Sequence, residues 1–448
     1  MQTIYQTVKP FDQLLKKQKV KKGETYRPMY YVVEQPVDEG LLLYHTMTKA
    51  MLLLTPEEAE TYKTHPEEMT DLIGLWFLVP QSHDDRLLCR QIRDVARMLE
   101  KKSDAITSYT IFTTTDCNAR CFYCYEMGRP RVPMSKETAE RTADYIIKHC
   151  YGEKVRLNWF GGEPLFNKAV ISLICQRLRK ADIDYRSTMA TNGYLFDDDT
   201  IKEAKDEWNL KWVQITLDGT EKIYNRSKAY IYKGINAYKR VINNIHKLQD
   251  ANVEVQIRLN IDMHNAENLM ELAKQLHQEF PNPKGITVYI RPLFEDTTGN
   301  KAIHDSEKRA YIFKKMKDIR HQLSEYGLAR PVKMERRILT KICQADNDQC
   351  VVIMSTGNIG KCEHYTEEYF IGHIDNDEFD NAIVESFKER REEIDACATC
   401  PAYPDCLVLK LCDGYKHCYQ ESQMEKIRNL HRMMIWAYNN KKHQQNEL

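Results

Sequence analysis

The feature that most constrains the fold of this chain is a regular alternation of short apolar strands and longer amphipathic segments between residues 110 and 291. Most strands precede a stretch with helical periodicity, such as Lys168–Lys180 or Glu267–Phe280. The predicted strands are Thr110–Thr114, Val155–Phe160, Arg186–Ala190, Trp212–Leu217, Val253–Ile261 and Ile286–Arg291. Repeated β-then-α units indicate a parallel sheet, which right-handed crossovers curl towards a barrel. We therefore predict an α/β fold with a partial (β/α)6 TIM barrel, whose reactive groups lie at the C-terminal ends of the strands.

Composition excludes several classes of protein. A chain of 448 residues is too long for one compact core, so two or three domains are expected. Lys plus Arg and Asp plus Glu both number 65, so no net charge recruits nucleic acid or an anionic membrane. No apolar run approaches a membrane span, and the first residues lack the order of a signal peptide. We expect a cytoplasmic protein whose fourteen cysteines bind metal or clusters rather than form disulfides.

Three cysteines follow the first predicted strand: Cys117, Cys121 and Cys124. At these spacings, three thiolates on a loop bind three corners of a cubane iron–sulfur cluster and leave its fourth iron open. Positions i, i+4 and i+7 also suit the apolar stripe of a helix, but the strand-like run Ser108–Thr115 just upstream places the cysteines on a loop. Zinc would need a fourth ligand, and no cysteine or histidine close by in the sequence provides one.

A second set of cysteines lies near the C-terminus and is large enough for two complete four-thiolate clusters. Its members are Cys343, Cys350, Cys362, Cys397, Cys400, Cys406, Cys412 and Cys418. The spacing of Cys397 and Cys400 is also that of a zinc knuckle, so a pair of structural zinc sites is the alternative. Cys89, Cys150 and Cys175 lie in helical patterns and are expected to be buried packing residues.

The cysteine triplet resembles that of the radical S-adenosylmethionine (SAM) superfamily, in which SAM chelates the open iron through its amino and carboxylate groups. Tyr123, just before the third cysteine, matches the aromatic residue of that motif. The C-terminal set resembles the SPASM extension of these enzymes, although the gap between Cys406 and Cys412 is longer than usual. The resemblance implies three [4Fe-4S] clusters, one binding SAM and two auxiliary. It assigns Cys343, Cys350, Cys362 and Cys412 to the first auxiliary cluster, and Cys397, Cys400, Cys406 and Cys418 to the second.

The same resemblance assigns residues at the predicted strand ends to SAM. Gly161, Gly162 and Glu163 lie in a Gly-Gly-Glu-Pro turn after the second strand, where the glycines permit close backbone approach and the carboxylate suits a cationic amine. Asn192 and Thr216 end the third and fourth strands and are expected to line the cofactor. Alone, each of these motifs is an ordinary turn, with Asn or Asp capping it. Arg226 and Arg258 are further candidates for the SAM carboxylate or the active-site wall, and each could equally be a surface charge.

The first hundred residues predict a small domain with the order strand, strand, helix, strand, helix. Its strands are Tyr30–Val33, Leu41–Tyr44 and Leu75–Val79, and Thr55 caps the first helix ahead of Pro56. This order resembles the winged-helix-like domains with which radical SAM maturases capture the leader of a precursor peptide as an added strand. A purely stabilising domain is the alternative. The predicted boundaries are 1–103 for leader recognition, 104–325 for the radical SAM partial barrel and 326–448 for the SPASM domain.

The family resemblance implies an enzyme that cleaves SAM reductively to a 5′-deoxyadenosyl radical and modifies a ribosomal precursor peptide bearing a leader. An intrapeptide cross-link is the expected product, either a thioether, as in sactipeptides and ranthipeptides, or a carbon–carbon bond. The implied partners are this peptide and a reducing electron donor such as flavodoxin or ferredoxin, with no nucleic acid and no membrane. One alternative is an anaerobic sulfatase-maturating enzyme that generates formylglycine. The other is a zinc-stabilised, non-enzymatic binding module.

Overall fold

The computed structural model describes residues 1–8, 11–21, 23–100, 103–293, 305–330, 334, 336–364, 367–412 and 418–446. The chain divides into two compact units. Unit 1 comprises residues 1–102, 331–342 and 390–448, and unit 2 comprises residues 103–330 and 343–389. The N-terminal hundred residues therefore share a unit with the last part of the chain, whereas the sequence predicts them as separate domains. Among the described residues, no helix has the length and apolar character needed to cross a membrane.

A nine-stranded sheet forms the centre of unit 2, in the order β12-β11-β10-β9-β8-β7-β13-β14-β15. Its strands are β7 (Ser108–Thr114), β8 (Val155–Gly161), β9 (Tyr185–Thr191), β10 (Leu210–Thr216), β11 (Glu254–Ile261), β12 (Ile286–Pro292), β13 (Cys350–Ile353), β14 (Asn358–Gly360) and β15 (Gly372–His373). Strands β7 to β12 lie side by side in chain order and are parallel, which confirms the predicted α/β core of six parallel strands. The sequence did not predict β13, which extends the sheet by pairing in parallel with β7.

Helices cover one face of this sheet. They are α5 (Lys136–His149), α6 (Lys168–Lys180), α7 (Asp198–Asp206), α8 (Glu221–Lys228), α9 (Ala237–Asp250), α10 (Ala266–Glu279), α11 (Ser306–Glu325) and α12 (Asn381–Ser386). Side chains of Ser135, Asp197 and Asn236 cap the N-termini of α5, α7 and α9. Beneath the helices, Trp159 and Trp208 are fully buried in one continuous apolar core.

The other face of the parallel strands is polar. In β8, Val155, Leu157 and Trp159 are buried in the core, whereas the alternating position Asn158 is only half-buried. Asn158 Nδ2 donates to Thr110 Oγ1 of β7 at 3.4 Å, and Thr188 Oγ1 of β9 donates to Asn158 Oδ1 at 3.1 Å. Parallel strands that are covered on both faces are apolar almost throughout. The polar row therefore marks the inner face of the partial barrel, which the helices do not cover.

Unit 1 contains a four-stranded antiparallel sheet in the order β1-β5-β4-β3 and a two-stranded sheet of β2 and β6. The strands are β1 (Gln2–Tyr5), β2 (Tyr26–Pro28), β3 (Val32–Val37), β4 (Gly40–His45), β5 (Met51–Leu54) and β6 (Leu78–Pro80). The helices are α1 (Phe11–Leu14), α2 (Pro56–Thr64), α3 (Thr70–Gly74), α4 (Asp85–Leu99) and α13 (Gln420–Asn446). Thr55 caps α2 through both bonds of a capping box with Glu58, which confirms the predicted start of this helix. The sequence missed β1, β2 and β5.

Both faces of the four-stranded sheet are buried. On one face, Leu41 and Leu43 pack with Phe77 in a core that α2 and α3 complete. On the other face, Leu42 and Tyr44 pack in a second core against residues of α13. These are Leu430, Met433, Met434, Ala437 and Tyr438. The last helix of the chain therefore completes the core of its first domain.

Candidate functional site

The three cysteines that follow β7 lie on one loop of unit 2 and are partly exposed. The described residues include all fourteen cysteines and contain no disulfide. The backbone N–H of Ala119 donates to Cys117 Sγ at 3.3 Å, a type of contact that tunes sulfur ligands of iron–sulfur clusters. Burial and the neighbouring Glu163 carboxylate raise the pKa of Cys117 to about 12. Asn118 is fully buried next to it, and its Nδ2 has no hydrogen-bond partner.

The Gly-Gly-Glu-Pro turn after β8 packs directly against this cysteine loop. Gly162 N donates to Thr114 O and Glu163 N donates to Asp116 O, both at 3.0 Å. A Cβ atom added at Gly161 would lie 2.1 Å from Thr114 O, and one at Gly162 would lie 2.4 Å from Asp116 O. The sequence predicts that these glycines permit close approach of a ligand. In the structure, a side chain at either glycine would collide with the backbone that leads into the cysteine loop, because the turn packs directly against it.

Glu163 is fully buried at the C-terminal end of β8. Its carboxylate accepts hydrogen bonds from Thr191 Oγ1 at 2.8 Å, Asn192 N at 2.8 Å and Leu165 N at 3.2 Å. Burial raises the pKa of Glu163 to about 7, and these hydrogen bonds oppose that shift. All these donors are neutral, so a bound cation would stabilise the ionised carboxylate.

Asn192, at the end of β9, joins the Glu163 site to the cysteine loop. Its Nδ2 donates to Asn118 Oδ1 at 2.6 Å and lies 3.8 Å from Cys117 Sγ. Its own Oδ1 accepts from Tyr194 N at 3.0 Å, which fixes the orientation of the amide. The structure therefore brings Cys117, Glu163 and Asn192 together, although the sequence places them on three different strand ends.

A buried ion pair supports the cysteine loop, and the sequence did not predict it. Lys228 Nζ, at the end of α8, lies 3.0 Å from Asp218 Oδ2 and 2.7 Å from Tyr123 Oη, and the tyrosine also hydrogen-bonds Asp218. Tyr123 is thereby tied to the strand ends of unit 2. The two charged side chains are 4% and 2% exposed. Despite burial, Asp218 and Tyr123 raise the pKa of Lys228 well above its usual range. The Thr-Leu-Asp motif contains Asp218, but no sequence signal identifies Lys228 as its partner.

The remaining predicted SAM residues lie farther along the sheet. Thr216 and Arg258 are register partners on β10 and β11, and both are half-buried. Arg258 Nε donates to Asn260 Oδ1 at 2.8 Å, which holds the guanidinium beside β11. Arg226 is exposed on α8, as expected for the surface-charge alternative.

Unit 2 also contains three of the C-terminal cysteines. Cys350 begins β13 and is buried, Cys362 is half-buried, and Cys343 is exposed. Lys361, which precedes Cys362, is buried and donates to Asn347 O and Cys350 O, both at 2.7 Å. Burial lowers the pKa of Lys361 to about 8.

Unit 1 contains the other five cysteines: Cys397, Cys400, Cys406, Cys412 and Cys418. Two of their sulfurs receive hydrogen bonds from α13, because Lys426 Nζ lies 3.4 Å from Cys406 Sγ and Gln423 Nε2 lies 3.4 Å from Cys418 Sγ. No sequence motif indicates these two donors. Cys412 therefore belongs to a different unit from the other predicted ligands of the first auxiliary cluster.

No group of three or more His, Cys, Asp or Glu side chains in the described part of the chain is close enough to hold a metal ion. A cubane separates its thiolates more widely than a single ion does, since each sulfur binds a different iron. All eleven ligand assignments therefore stay predictions, as does the zinc alternative.

Comparison with known proteins relates part of the chain to a family. Residues 111–277 match the Radical SAM superfamily. Fe-coproporphyrin III synthase of Methanosarcina barkeri is 26% identical over 168 residues, which cover 37% of this chain and 40% of that protein. A probable GTP 3′,8-cyclase of Pyrococcus abyssi is 30% identical over 152 residues, which cover 34% of this chain and 46% of the relative. The chain therefore spans less than half the length of either relative.

One solved structure is similar over a longer part of the chain. Native anSMEcpe with bound AdoMet and the Cp18Cys peptide has a TM-score of 0.57 at 16% sequence identity. The match covers 74% of this chain and 99% of anSMEcpe. The two proteins share a fold.

Proposed function

Since residues 111–277 of this chain form a radical SAM domain, and members of that superfamily are enzymes, we propose that the protein modifies a ribosomal precursor peptide. The proposed product is an intrapeptide cross-link, either a thioether or a carbon–carbon bond. The observation that carries this proposal is the cysteine loop, which the Gly161–Gly162 turn supports and which Asn192 joins to the buried Glu163 carboxylate. A reducing donor such as flavodoxin or ferredoxin would supply electrons.

The residues at this site fit a cluster with SAM bound to its open iron. Cys117, Cys121 and Cys124 would hold three irons, and the buried Nδ2 of Asn118, which has no partner, is an available donor beside them. Glu163 would bind the SAM amino group, because its carboxylate has only neutral donors. When bound, the cluster and SAM supply a 5′-deoxyadenosyl radical. The eight C-terminal cysteines would hold two auxiliary [4Fe-4S] clusters, for which Lys426 and Gln423 supply hydrogen bonds to sulfur.

A peptide substrate has two places to bind. The modified segment would lie on the polar inner face of the β7–β12 sheet, and the leader would add to the edge of β3 that pairs with no strand in the described part of the chain. Pro36 in β3 has no N–H, and proline occurs on edge strands with its nitrogen facing away from the neighbouring strand. Along a strand, the backbone N–H groups of successive residues point to opposite edges. Glu34 lies two residues before Pro36, so its N–H faces the same edge as the Pro36 nitrogen.

A second candidate function is sulfatase maturation, in which a Cys or Ser becomes formylglycine. The observation that favours it is the fold shared with native anSMEcpe, whose structure has AdoMet and the Cp18Cys peptide bound. Mass spectrometry distinguishes the two reactions. A cross-link removes a pair of hydrogen atoms from the peptide and keeps its sulfur, whereas formylglycine formation from cysteine removes the sulfur.

The cofactor assignment can be tested by replacing Cys117, Cys121 and Cys124 together with Ala. Anaerobically reconstituted wild type should bind about twelve irons, at four per cubane. After reduction with dithionite, the triple variant should produce no 5′-deoxyadenosine. The matched control, Cys397→Ala with Cys400→Ala, should retain SAM binding. Formation of 5′-deoxyadenosine by the triple variant would reject the assignment.

Leader capture can be tested at β3 with a pair of substitutions at one position. Glu34→Pro removes an edge N–H and the contact of Glu34 with Tyr62, and Glu34→Ala removes only that side-chain contact, which is 2.9 Å long. The probe is a short cysteine-containing peptide encoded beside the gene. Calorimetry should show weaker peptide binding for Glu34→Pro than for Glu34→Ala. Equal affinity of the two variants would mean that the edge of β3 does not bind the leader.

A further inference from the structure

Three arginines lie along the β11–β12 edge of the polar inner face in unit 2. Arg258 on β11 and Arg291 on β12 alternate with buried core residues, so both belong to the inner face. Arg330 follows Ala329, which forms a parallel bridge with Val288 of β12 and packs against the core. Neighbouring residues of an extended chain face opposite sides, so Arg330 also belongs to the inner face.

The three arginines surround Tyr289, which lies on the same face of β12. Arg258 is its register partner on one side, and the Ala329 bridge places Arg330 on the other side. Arg291 lies two residues farther along β12, about 7 Å away. Burial raises the pKa of Tyr289, and the positive charges of all three arginines oppose that shift, as expected of cations gathered near one hydroxyl.

No carboxylate neutralises this group of cations. Among the residues described, neither Arg291 nor Arg330 makes an ion pair, and both are exposed. Arg258 hydrogen-bonds a neutral amide. Asp218, which follows β10, already has a buried lysine partner. Glu254 begins β11, four residues before Arg258 and about 13 Å away. Three positive charges without a counter-charge on a sheet face attract an anionic ligand.

We propose that Arg258, Arg291 and Arg330 form a site on the inner face that binds a carboxylate of the peptide substrate. A planar guanidinium matches the two oxygens of a carboxylate and binds them with paired hydrogen bonds. The proposal rests on the proposed function, which makes the substrate a peptide, and it narrows the substrate to peptides with a carboxylate close to the modified residue. A nucleotide phosphate is the less favoured occupant, because the proposed substrate is a peptide.

The sheet sets the distance between this site and the predicted SAM contacts. Thr216, one of those contacts, is the register partner of Arg258. Tyr289 therefore lies two strands away from Thr216, at about 10 Å. An extended peptide advances about 3.3 Å per residue, so the carboxylate should lie within about three residues of the modified residue.

The experiment compares the cluster-loaded full chain with its variant Arg291→Gln plus Arg330→Gln. Both side chains are exposed, so unit 2 should stay folded, as thermal unfolding will show. The control is Arg156→Gln with Arg186→Gln. These two arginines are exposed register partners on the same inner face, near the N-terminal ends of β8 and β9.

The substrate is the short cysteine-containing peptide encoded beside the gene, in three forms. One is unaltered, one has Gln or Asn in place of each nearby Glu or Asp, and one has an amidated C-terminus. In wild type, the form that lacks the bound carboxylate should show a KM about tenfold higher, which identifies a side chain or the C-terminus as its source. The arginine variant should show the same rise with the unaltered peptide and little further rise with the altered one. The control variant should keep the wild-type KM.

The amide peptides test the site on the unaltered enzyme, so the test does not depend on the folding of a variant. Equal KM values for all three peptides would overturn the site, and so would an equal rise of KM in the control variant. Weaker SAM binding in the arginine variant would assign the arginines to SAM instead. Loss of GTP binding with an unchanged peptide KM would assign them to a nucleotide. If wild type cleaves SAM but leaves the peptide unmodified, the proposed function fails, and calorimetry with the same peptides still decides whether the arginines bind a carboxylate.

Discussion

Single residues decide whether the cysteine loop has one conformation. Gly162 lies so close to the backbone at Asp116 that no side chain fits between them. Asn192 and Glu163 then join this turn to the end of β9. A change that moves the turn should therefore move the thiolates, although it alters no predicted ligand.

We expect Gly162→Ala to lower iron incorporation at the cysteine triplet, because its Cβ would lie 2.4 Å from Asp116 O. The strain should also cost about 1–3 kcal/mol of stability. Iron analysis and urea unfolding measure the two effects. Gly74→Ala is the control, since nothing lies within 4 Å of an added Cβ there. Full iron content in Gly162→Ala would show that the turn does not position the loop.

The buried Lys228–Asp218 pair makes a separate prediction. Lys228→Met should destabilise unit 2 by about 3–5 kcal/mol, because it leaves the Asp218 carboxylate buried without its cation. Lys228→Met combined with Asp218→Asn should cost less, since no charge then remains unpaired. Urea denaturation of the single and double variants measures the coupling. A double variant whose loss of stability equals the sum of the losses in the two single variants would contradict the predicted coupling.

Sequence reasoning found the residues that belong to linear motifs and missed those that only folding brings together. Gly161, Gly162, Glu163 and Asn192 follow strands in recognisable turns, and the structure places them beside the cysteine loop. Lys228 belongs to no such motif, because it ends α8 and the whole of that helix separates it in the chain from Asp218, which follows β10. Arg226, which the sequence suggested for the SAM carboxylate or the active-site wall, is exposed on the same helix.

Among the elements, the β4–β5 hairpin shows why some strands were predictable and others were not. The six strands of the parallel sheet alternate with helices and were predicted to within a few residues. Strand β5 is the uniform apolar run Met-Leu-Leu-Leu, which does not distinguish a strand from a buried helix. Its outer face is covered by α13, which follows more than three hundred residues later in the chain.

His45 ends β4 and makes the stability of unit 1 depend on pH. It is fully buried, and burial lowers its pKa from 6.5 to about 3. As the pH falls below 6.5, His45 therefore takes up a proton in the unfolded chain but not in the folded protein. The free energy of unfolding should decrease by about 1 kcal/mol per pH unit. Urea unfolding at pH 7.5 and 5.5 measures this loss. It should be smaller in His45→Gln and unchanged in His321→Gln, whose ring is 76% exposed. An equal loss in His45→Gln would assign the effect to other groups.

At the scale of the whole molecule, unit 1 joins the N-terminal sheet to the C-terminal cysteines. Cys397, Cys400 and Tyr403 pack in one apolar cluster with Phe11, Met29, Tyr31 and Cys89. Lys49 Nζ lies 2.5 Å from Asp405 Oδ2, and Thr46 Oγ1 donates to Pro401 O at 2.6 Å. These segments lie near opposite ends of the chain, and local sequence patterns do not predict contacts between segments so far apart.

We therefore expect that removal of residues 1–103 destabilises residues 390–448 as well. The truncated protein would expose Met433, Met434 and the surroundings of Cys397. Limited proteolysis should cut within 390–448 in the truncated protein and spare this segment in the full chain. Equal protection would show that the C-terminal segment folds without the N-terminal sheet.

The covering of β4 and β5 by α13 also bears on how the protein folds during its synthesis. The face formed by Leu42 and Tyr44 has no partner until the ribosome has added α13. At roughly 5–20 residues per second, the wait lasts roughly 20–80 s. Meanwhile unit 2 has all of residues 103–330 and can form most of its sheet. The N-terminal sheet thus leaves the ribosome before unit 2 but completes its core after it, and an apolar sheet face that stays exposed for this time promotes aggregation.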